Sequence, residues 1–466
     1  MAEIAVEPVS CLVPQPQPLG EPWLTKWGLP AWMFVLSFIY PIPHTIALRN
    51  LLLALGLVVS LWLIAKNRPP LDTWLALRRF RAVGWILALL TLWLIVQSAF
   101  ISPYPEALDL LRGDWLVVLS VAGVGLCAVL AMRHDCGHRL LSAMTLALCA
   151  HILWLLAFQI DVWLETGNYP LGFTPFAHKD YQSMLATTLV SLLLASLVAR
   201  AAMRRIFFGL SWRVTTVMLL LTCIATATLQ SRNAIIIVVL MLLLAVGLYA
   251  TGERKRSTRR TLTIAVVLLL FSALVVGLSL RSDNRWKEFG EAASVAFDTT
   301  HNLAWLDESK YPRPRMANGE PVDHSAYARL AWAKVGLEQV LVYPLGLGYG
   351  HKAFGWAVNR SYNAHTGHES SHSGLLDFTL ANGIPGIILW LALSSVLLAL
   401  GWRAFRTHSS PAGLMLLFSV VAYFLRCLFD GHLSGFRLET YALIASALLM
   451  ATALECRADE KGKECA

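Results

Sequence analysis

Apolar runs of about twenty residues, separated by short polar stretches, recur along almost the whole chain without strand-like alternation. A helix of that length crosses the roughly 30 Å hydrocarbon core of a bilayer. The pattern predicts spans near 29–45, 49–65, 82–101, 115–132, 140–160, 181–203, 213–230, 233–250, 262–280, 383–402, 411–428 and 438–456. Pro41 and Pro43 interrupt the first of these, so eleven spans is the alternative count, although neighbouring helices in a membrane satisfy backbone groups that proline frees. The expected fold class is an all-α polytopic membrane protein of about twelve transmembrane helices with one long, mostly helical loop. Its expected organisation is an N-terminal segment (1–28), nine spans (29–280), a long loop (281–373), three spans (374–456) and a tail (457–466).

Composition agrees: 57% of residues are hydrophobic and 14% charged, against roughly 25% charged in soluble domains. The formal net charge of +9 follows the loops. Lys and Arg gather in "KNRPP…LRRFR" (66–81), "RHDCGHR" (133–139), "RRIFFGLSWR" (204–213), "ERKRSTRR" (253–260) and "RAFR" (403–406), and are sparse in alternate loops such as "SPYPEALDLLRGD". By the positive-inside rule the first set is cytoplasmic, and with an even number of spans both termini are too. The basic balance is therefore a topology signal and calls for no nucleic-acid partner. Residues 1–28 lack the basic start and immediate apolar core of a cleavable signal peptide, so the first span is expected to be a signal anchor. None of the eight cysteines lies in the long loop, and disulfides are not expected to matter.

The chemistry is expected in that loop. "NRWKEFGEAASVAFDTT" (284–300) puts Trp286, Phe289, Ala293 and Phe297 on one helical face, suited to lying on the membrane or on the bundle. "KYPRPRMANGEP" (310–321) reads as irregular loop. "DHSAYARLAWAKVGLEQVLVYP" (323–344) reads as a helix capped by Asp323 or Ser325 and stopped by Pro344. In "PLGLGYGH" (344–351) three alternating glycines predict a turn whose backbone can approach a ligand closely. "ESSHSGLLDFTLANG" (369–383) predicts a short helix capped by Ser370 or Ser371 and ended by Gly383, with Pro385 opening the next span.

His372 falls in the first turn of that helix, where the positive end of the helix disfavours imidazolium. A neutral imidazole there is a candidate general base; the plainer alternative is a boundary histidine satisfied by water or backbone. His365, His368 and His372 with Glu369 have intervals compatible with zinc if the stretch is helical throughout. Gly367 and the paired serines break that helix and no H-E-x-x-H is present, so no metal or other cofactor is expected. Arg329 projects from a strip of small residues (Ala326, Ala333, Gly336) with room for a bulky anion, or else pairs with Asp323 or Glu320. Arg232, in "LQSRNAIII", sits where two spans meet, a costly position unless it snorkels, pairs or binds an anion. Two arginines and a helix N-terminus offer what a diphosphate needs. Lys179 and Asp180 in "FAHKDYQS", and Arg426, Asp430, His432, Arg437 and Glu439 in "LRCLFDGHLSGFRLE", either line the same space or close the bundle with ion pairs.

Taken in order, these motifs resemble the O-antigen ligase and O-antigen polymerase superfamily. The resemblance is carried by Arg329 with Trp332, one residue closer than the family spacing, by Pro344 with Gly346 and Gly348, and by His372 with Ser373, Leu376, Gly383 and Gly386. "QSRNA" resembles the family's S-R-G-A at an outer helix junction, with Asn233 where glycine is commoner. Specific motifs cover only about 229–236 and 325–390. The resemblance implies a GT-C-type, metal-independent glycosyltransferase of the bacterial inner membrane, working at its periplasmic face on an undecaprenyl-diphosphate-linked glycan. It implies His372 as the base in an inverting transfer and Arg232 and Arg329 as the diphosphate clamp. A ligase would use lipid A–core as acceptor, a polymerase another lipid-linked repeat unit, and a protein O-oligosaccharyltransferase a Ser or Thr. A transporter or flippase, from a different class, would place charge near the bilayer midplane in inverted repeats.

Overall fold

A computed structural model of the chain describes residues 23–67, 78, 80–132, 135, 137–176, 178–251, 273, 277, 289–316, 319–364, 367–431 and 433–464. Among these, regular secondary structure is helical, with isolated bridge residues at Ile206 and at the antiparallel pair Arg315 and Pro321. In chain order the helices are α1 (Leu24–Ile39), α2 (Ile46–Asn67), α3 (Arg81–Ile101), α4 (Glu106–Ala131), α5 (His138–Thr166), α6 (Lys179–Met203), α7 (Trp212–Thr228) and α8 (Arg232–Thr251). They continue with α9 (Phe289–Ala296), α10 (His324–Val342), α11 (Ala353–Tyr362), α12 (Gly374–His408), α13 (Pro411–Phe429) and α14 (Gly435–Glu464).

Nine of the described helices are long and apolar enough to cross a membrane, and α1 and α7 are shorter apolar helices. The chain is thus an all-α, polytopic membrane protein. Helices α1–α8 and α12–α14 answer to eleven of the expected spans; the remaining one, 262–280, lies outside the described residues except for 273 and 277. Two boundaries differ from expectation. The first span stops at Ile39 rather than near 45, because the chain turns through Pro41 and Pro43 to a left-handed His44 (φ 62°). The tenth begins not at 383 but at Gly374, so the expected short helix and the following span form one element, broken at Gly383.

Burial orders the bundle. α14 and α6 are buried over 83% and 78% of their apolar stretches, whereas α2 and α3 are buried over 22% each. The interior is built by α14 on α4 and by α13 on α6 and α12, with α2 packed outside α4 and α3 outside α12. At one end, His138 of α5 meets Glu455 (3.2 Å), and His408 of α12 meets Asp459 (3.1 Å). Arg205, after α6, reaches the same Asp459 at 4.0 Å. The bundle therefore gathers three of the expected basic loops and the end of α14 on one side.

The segment between α8 and α12 sits at the other end and has its own hydrophobic core. Trp305, Tyr327, Trp332, Phe354 and Ala296 are buried together with Leu380 and Ala381 from the start of α12. The polar atoms of its aromatics are satisfied, as buried Trp and Tyr require. Trp332 Nε1 donates to the Trp305 carbonyl (3.0 Å), Trp305 Nε1 to that of Thr299 (3.2 Å), and the Tyr327 hydroxyl to that of Asn302 (2.7 Å). Of the face expected over 284–300, Phe297 stays exposed and Ala296 turns inward, while Trp286 lies outside the described residues.

Candidate active site

The break in α12 sets the site's floor. Gly383 is left-handed (φ 72°) and Pro385 has no N–H to donate, so carbonyls in the preceding turn lose their helical partners. "PLGLGYGH" supplies replacements. The Leu347 and Gly348 N–H groups donate to the Leu380 and Ala381 carbonyls (2.8 and 2.9 Å), the Ile384 N–H turns to Pro344 (2.8 Å), and Trp93 Nε1 donates to Asn382 (2.7 Å). Gly346 (φ 83°) lies so close that a Cβ would fall 2.5 Å from both the Ala381 oxygen and the Gly383 nitrogen. The glycine turn thus approaches a helix break rather than a ligand, apart from Gly350, which lines the cavity described below.

His372 is not in the first helical turn, as the sequence suggested. It stands two residues ahead of Gly374 in left-handed backbone (φ 58°), a strained state for a residue with a Cβ. Surrounding hydrogen bonds hold it there. The Ser371 N–H donates to Asp377 Oδ1 (2.8 Å), the His372 N–H to Ser370 Oγ (3.3 Å), the Ser373 N–H to Ser371 Oγ (3.2 Å) and the Gly374 N–H to the Asp430 carbonyl (3.0 Å). Ser370 and Ser371 therefore shape the turn, while Ser373 is the cap residue without a side-chain capping bond. Asp377, buried and one turn into the helix, was not singled out from the sequence, since a lone Asp in the middle of a short predicted helix looks ordinary.

The imidazole of His372 stacks on Trp332, with ring centroids 5.3 Å apart and planes 21° apart, and His368 packs on the same indole at 4.8 Å. Trp332 follows Arg329 by three residues, which puts both on one face of α10. Burial pushes the His372 pKa below its ordinary value, and the Arg329 charge lowers it further, against opposing effects of Asp430 and Asp180. Burial also lowers that of His368. The neutral ring expected from a helix N-terminus is thus favoured mainly by desolvation and a neighbouring cation.

Arg329 is half-buried and makes no hydrogen bond or ion pair among the described residues. Asp323, its expected partner, caps α10 through the Ala326 N–H (2.9 Å) and faces Arg232 at 3.8 Å instead. Arg232 is thereby tied to the start of the helix that carries Arg329, about 9 Å of helical rise away.

A cavity of about 550 Å³ opens on another side of His372. It brings His372 together with His368, Asp180, Asp430 and Arg437, and adds Asp377, Tyr349 and Asn382; neither Arg329 nor Arg232 lines it. Asp430 is held by the fully buried Arg426 (3.2 Å), whose guanidinium also donates to the Asp180 carbonyl (2.9 Å) and to Ser183 Oγ. Arg437 donates to the Gly431 carbonyl (2.9 Å). Glu439 bonds Tyr40 (2.5 Å). Lys179 heads α6 but does not line the cavity, and His365 and His432 lie outside the described residues. Glu369, grouped with the histidines in the metal reading, faces His351 (3.3 Å) and Lys352 (3.6 Å). Among the described residues no three His, Cys, Asp or Glu side chains converge as a metal site.

A neutral buried imidazole, a neighbouring cation and an adjoining polar cavity can together accept a proton from a hydroxyl and steady an anionic leaving group. A comparison with curated proteins returns no match. A comparison with protein families does: residues 216–391 match the model of the family described as O-antigen ligase, over a stretch that includes Arg232, Arg329 and His372. By that match this part of the chain is similar to the O-antigen ligase family.

Proposed function

We propose that the chain is an O-antigen ligase, which moves O-antigen polysaccharide from undecaprenyl diphosphate to lipid A–core oligosaccharide in lipopolysaccharide synthesis. The observation that carries this is His372, fixed in a strained turn with its ring on Trp332, inside a domain matching that family. An acceptor hydroxyl gives its proton to a ring nitrogen of His372 as its oxygen attacks the anomeric carbon. The bond from that carbon to the diphosphate oxygen breaks, the leaving group takes the electron pair, and the configuration inverts. Arg329 stabilises the charge that develops on the diphosphate. Arg232, whose carboxylate partner is 3.8 Å away, completes the clamp by exchanging Asp323 for phosphate oxygen.

The site end of the bundle faces the periplasm, and the end with His138, His408 and Glu455 faces the cytoplasm of the inner membrane. The chemistry needs no divalent ion. Deleting the protein from its own bacterium is expected to leave lipid A–core uncapped while lipid-linked O-antigen accumulates. Lipid A–core still capped with single repeat units identifies a polymerase instead. Transfer by the purified protein is expected to continue in chelator; loss in chelator with recovery on added zinc contradicts the metal-free reading.

A further inference from the structure

The cavity beside His372 is poorly suited to a diphosphate. Four carboxylates, Asp180, Glu369, Asp377 and Asp430, line it against one guanidinium, that of Arg437, and among the described residues no lysine does. Arg426 offsets Asp430 from behind, one oxygen of Asp377 is occupied by the Ser371 N–H, Glu369 faces His351 and Lys352, and Asp180 faces His178, so the carboxylates are partly engaged, yet Arg437 remains the one guanidinium in the described lining. A dianion in that space meets like charge in a partly desolvated setting, where repulsion is strong. Arg329 and Arg232, the groups fit for an anion, lie outside the lining.

The same lining fits a neutral, polyhydroxylated ring. Phe378 and Phe436 offer apolar surface to the C–H faces of a sugar, and Asp180 and Ser434 offer hydrogen-bonding groups to its edge. Two further wall residues each carry one polar oxygen without a hydrogen bond, although Asn382 Nδ2 donates to the Phe378 carbonyl (3.1 Å). Tyr349 Oη and Asn382 Oδ1 make none among the described residues, and each side chain belongs to a residue only 1% exposed. Native structures leave few such groups buried without a partner, so each calls for an explanation.

We propose that this cavity is the acceptor subsite, shaped for a neutral sugar whose hydroxyls satisfy Tyr349 and Asn382, and that the donor diphosphate lies across His372 on the α10 side. The assignment rests on His372 being the base of a glycan transfer. It gives the imidazole a hydroxyl to deprotonate on its cavity side, and gives the leaving group Arg329, which acts on His372 from outside the cavity lining.

The test is steady-state transfer by the full-length protein in nanodiscs, varying lipid A–core and undecaprenyl-diphosphate glycan separately. Tyr349→Phe deletes only the unpartnered hydroxyl. It is expected to raise the acceptor KM roughly three- to tenfold, leave the donor KM within about twofold, and cost no thermal stability, because no group among the described residues bonds that oxygen. An unchanged acceptor KM, or a raised donor KM, overturns the assignment. Ser434→Ala, at the cavity wall, is expected to act in the same direction and serves if Tyr349→Phe does not fold. Binding of delipidated core oligosaccharide to His372→Ala protein separates this inference from the one beneath it. Binding without transfer supports both, and absence of binding to either form overturns the subsite alone. Transfer by His372→Ala overturns the base.

Discussion

At the scale of the residue, catalysis depends on how His372 is kept neutral and in place. Its pKa lies below the ordinary value of about 6.5 because the ring is buried and because Arg329 is close. A base works when unprotonated, so transfer is expected to fall as pH drops through a pKa below 6.5, and to be flat above it. Arg329→Gln removes a positive neighbour; the acidic limb of kcat/KM is expected to move up in pH as well as down in height. A limb that moves down in pH contradicts the electrostatic role of Arg329. Asp377 acts on the backbone rather than the ring, through the Ser371 N–H. Asp377→Asn keeps an accepting oxygen and is expected to retain most activity. Asp377→Ala leaves a buried N–H unpaired and is expected to cost about 1–3 kcal/mol in unfolding, with transfer reduced. Equal loss in both variants points to a charge role instead. His372 was legible in the sequence from its place before an apolar run. Its left-handed backbone and its tie to Asp377 were not, because both arise from hydrogen bonds made only once the turn has closed on α12.

At the scale of the element, hydropathy and punctuation predicted most of what the chain builds. Asp323 does cap α10, and Gly383 does break the helix that begins after His372. The three-glycine turn was legible as a turn, but its purpose was not. Its glycines answer a need created 35 residues later, where the break at Gly383 strips the Leu380 and Ala381 carbonyls of partners. Gly346→Ala combines a left-handed φ with a Cβ 2.5 Å from backbone atoms, so it is expected to destabilise by more than about 1 kcal/mol. Thermal unfolding in detergent is the check, and an unchanged midpoint contradicts the lock. The pairing of Arg232 with Asp323 was likewise hidden, since the two lie on helices brought together only by the fold. Asp323→Ala is expected to cost about 0.5–2 kcal/mol through the lost cap, whereas Asp323→Asn keeps the cap and removes only the charge facing Arg232.

At the scale of the whole molecule, the alternation of basic and neutral loops anticipated a bundle with two unlike ends. One end joins α5, α12 and α14 through histidine–carboxylate pairs; the other carries His372, the arginines and the cavity. Which side of His372 would be hollow and which would hold the arginines was not readable from motif order, because it depends on how α10 and α13 close around the turn. The central claim is that this second end transfers glycan with His372 as base. It is tested most directly by purified His372→Ala protein, given undecaprenyl-diphosphate-linked glycan and lipid A–core, with capped product measured against the unmodified protein. The variant is expected to remain folded while transfer falls by a factor of about 10² or more; transfer near the unmodified rate contradicts His372 as the base.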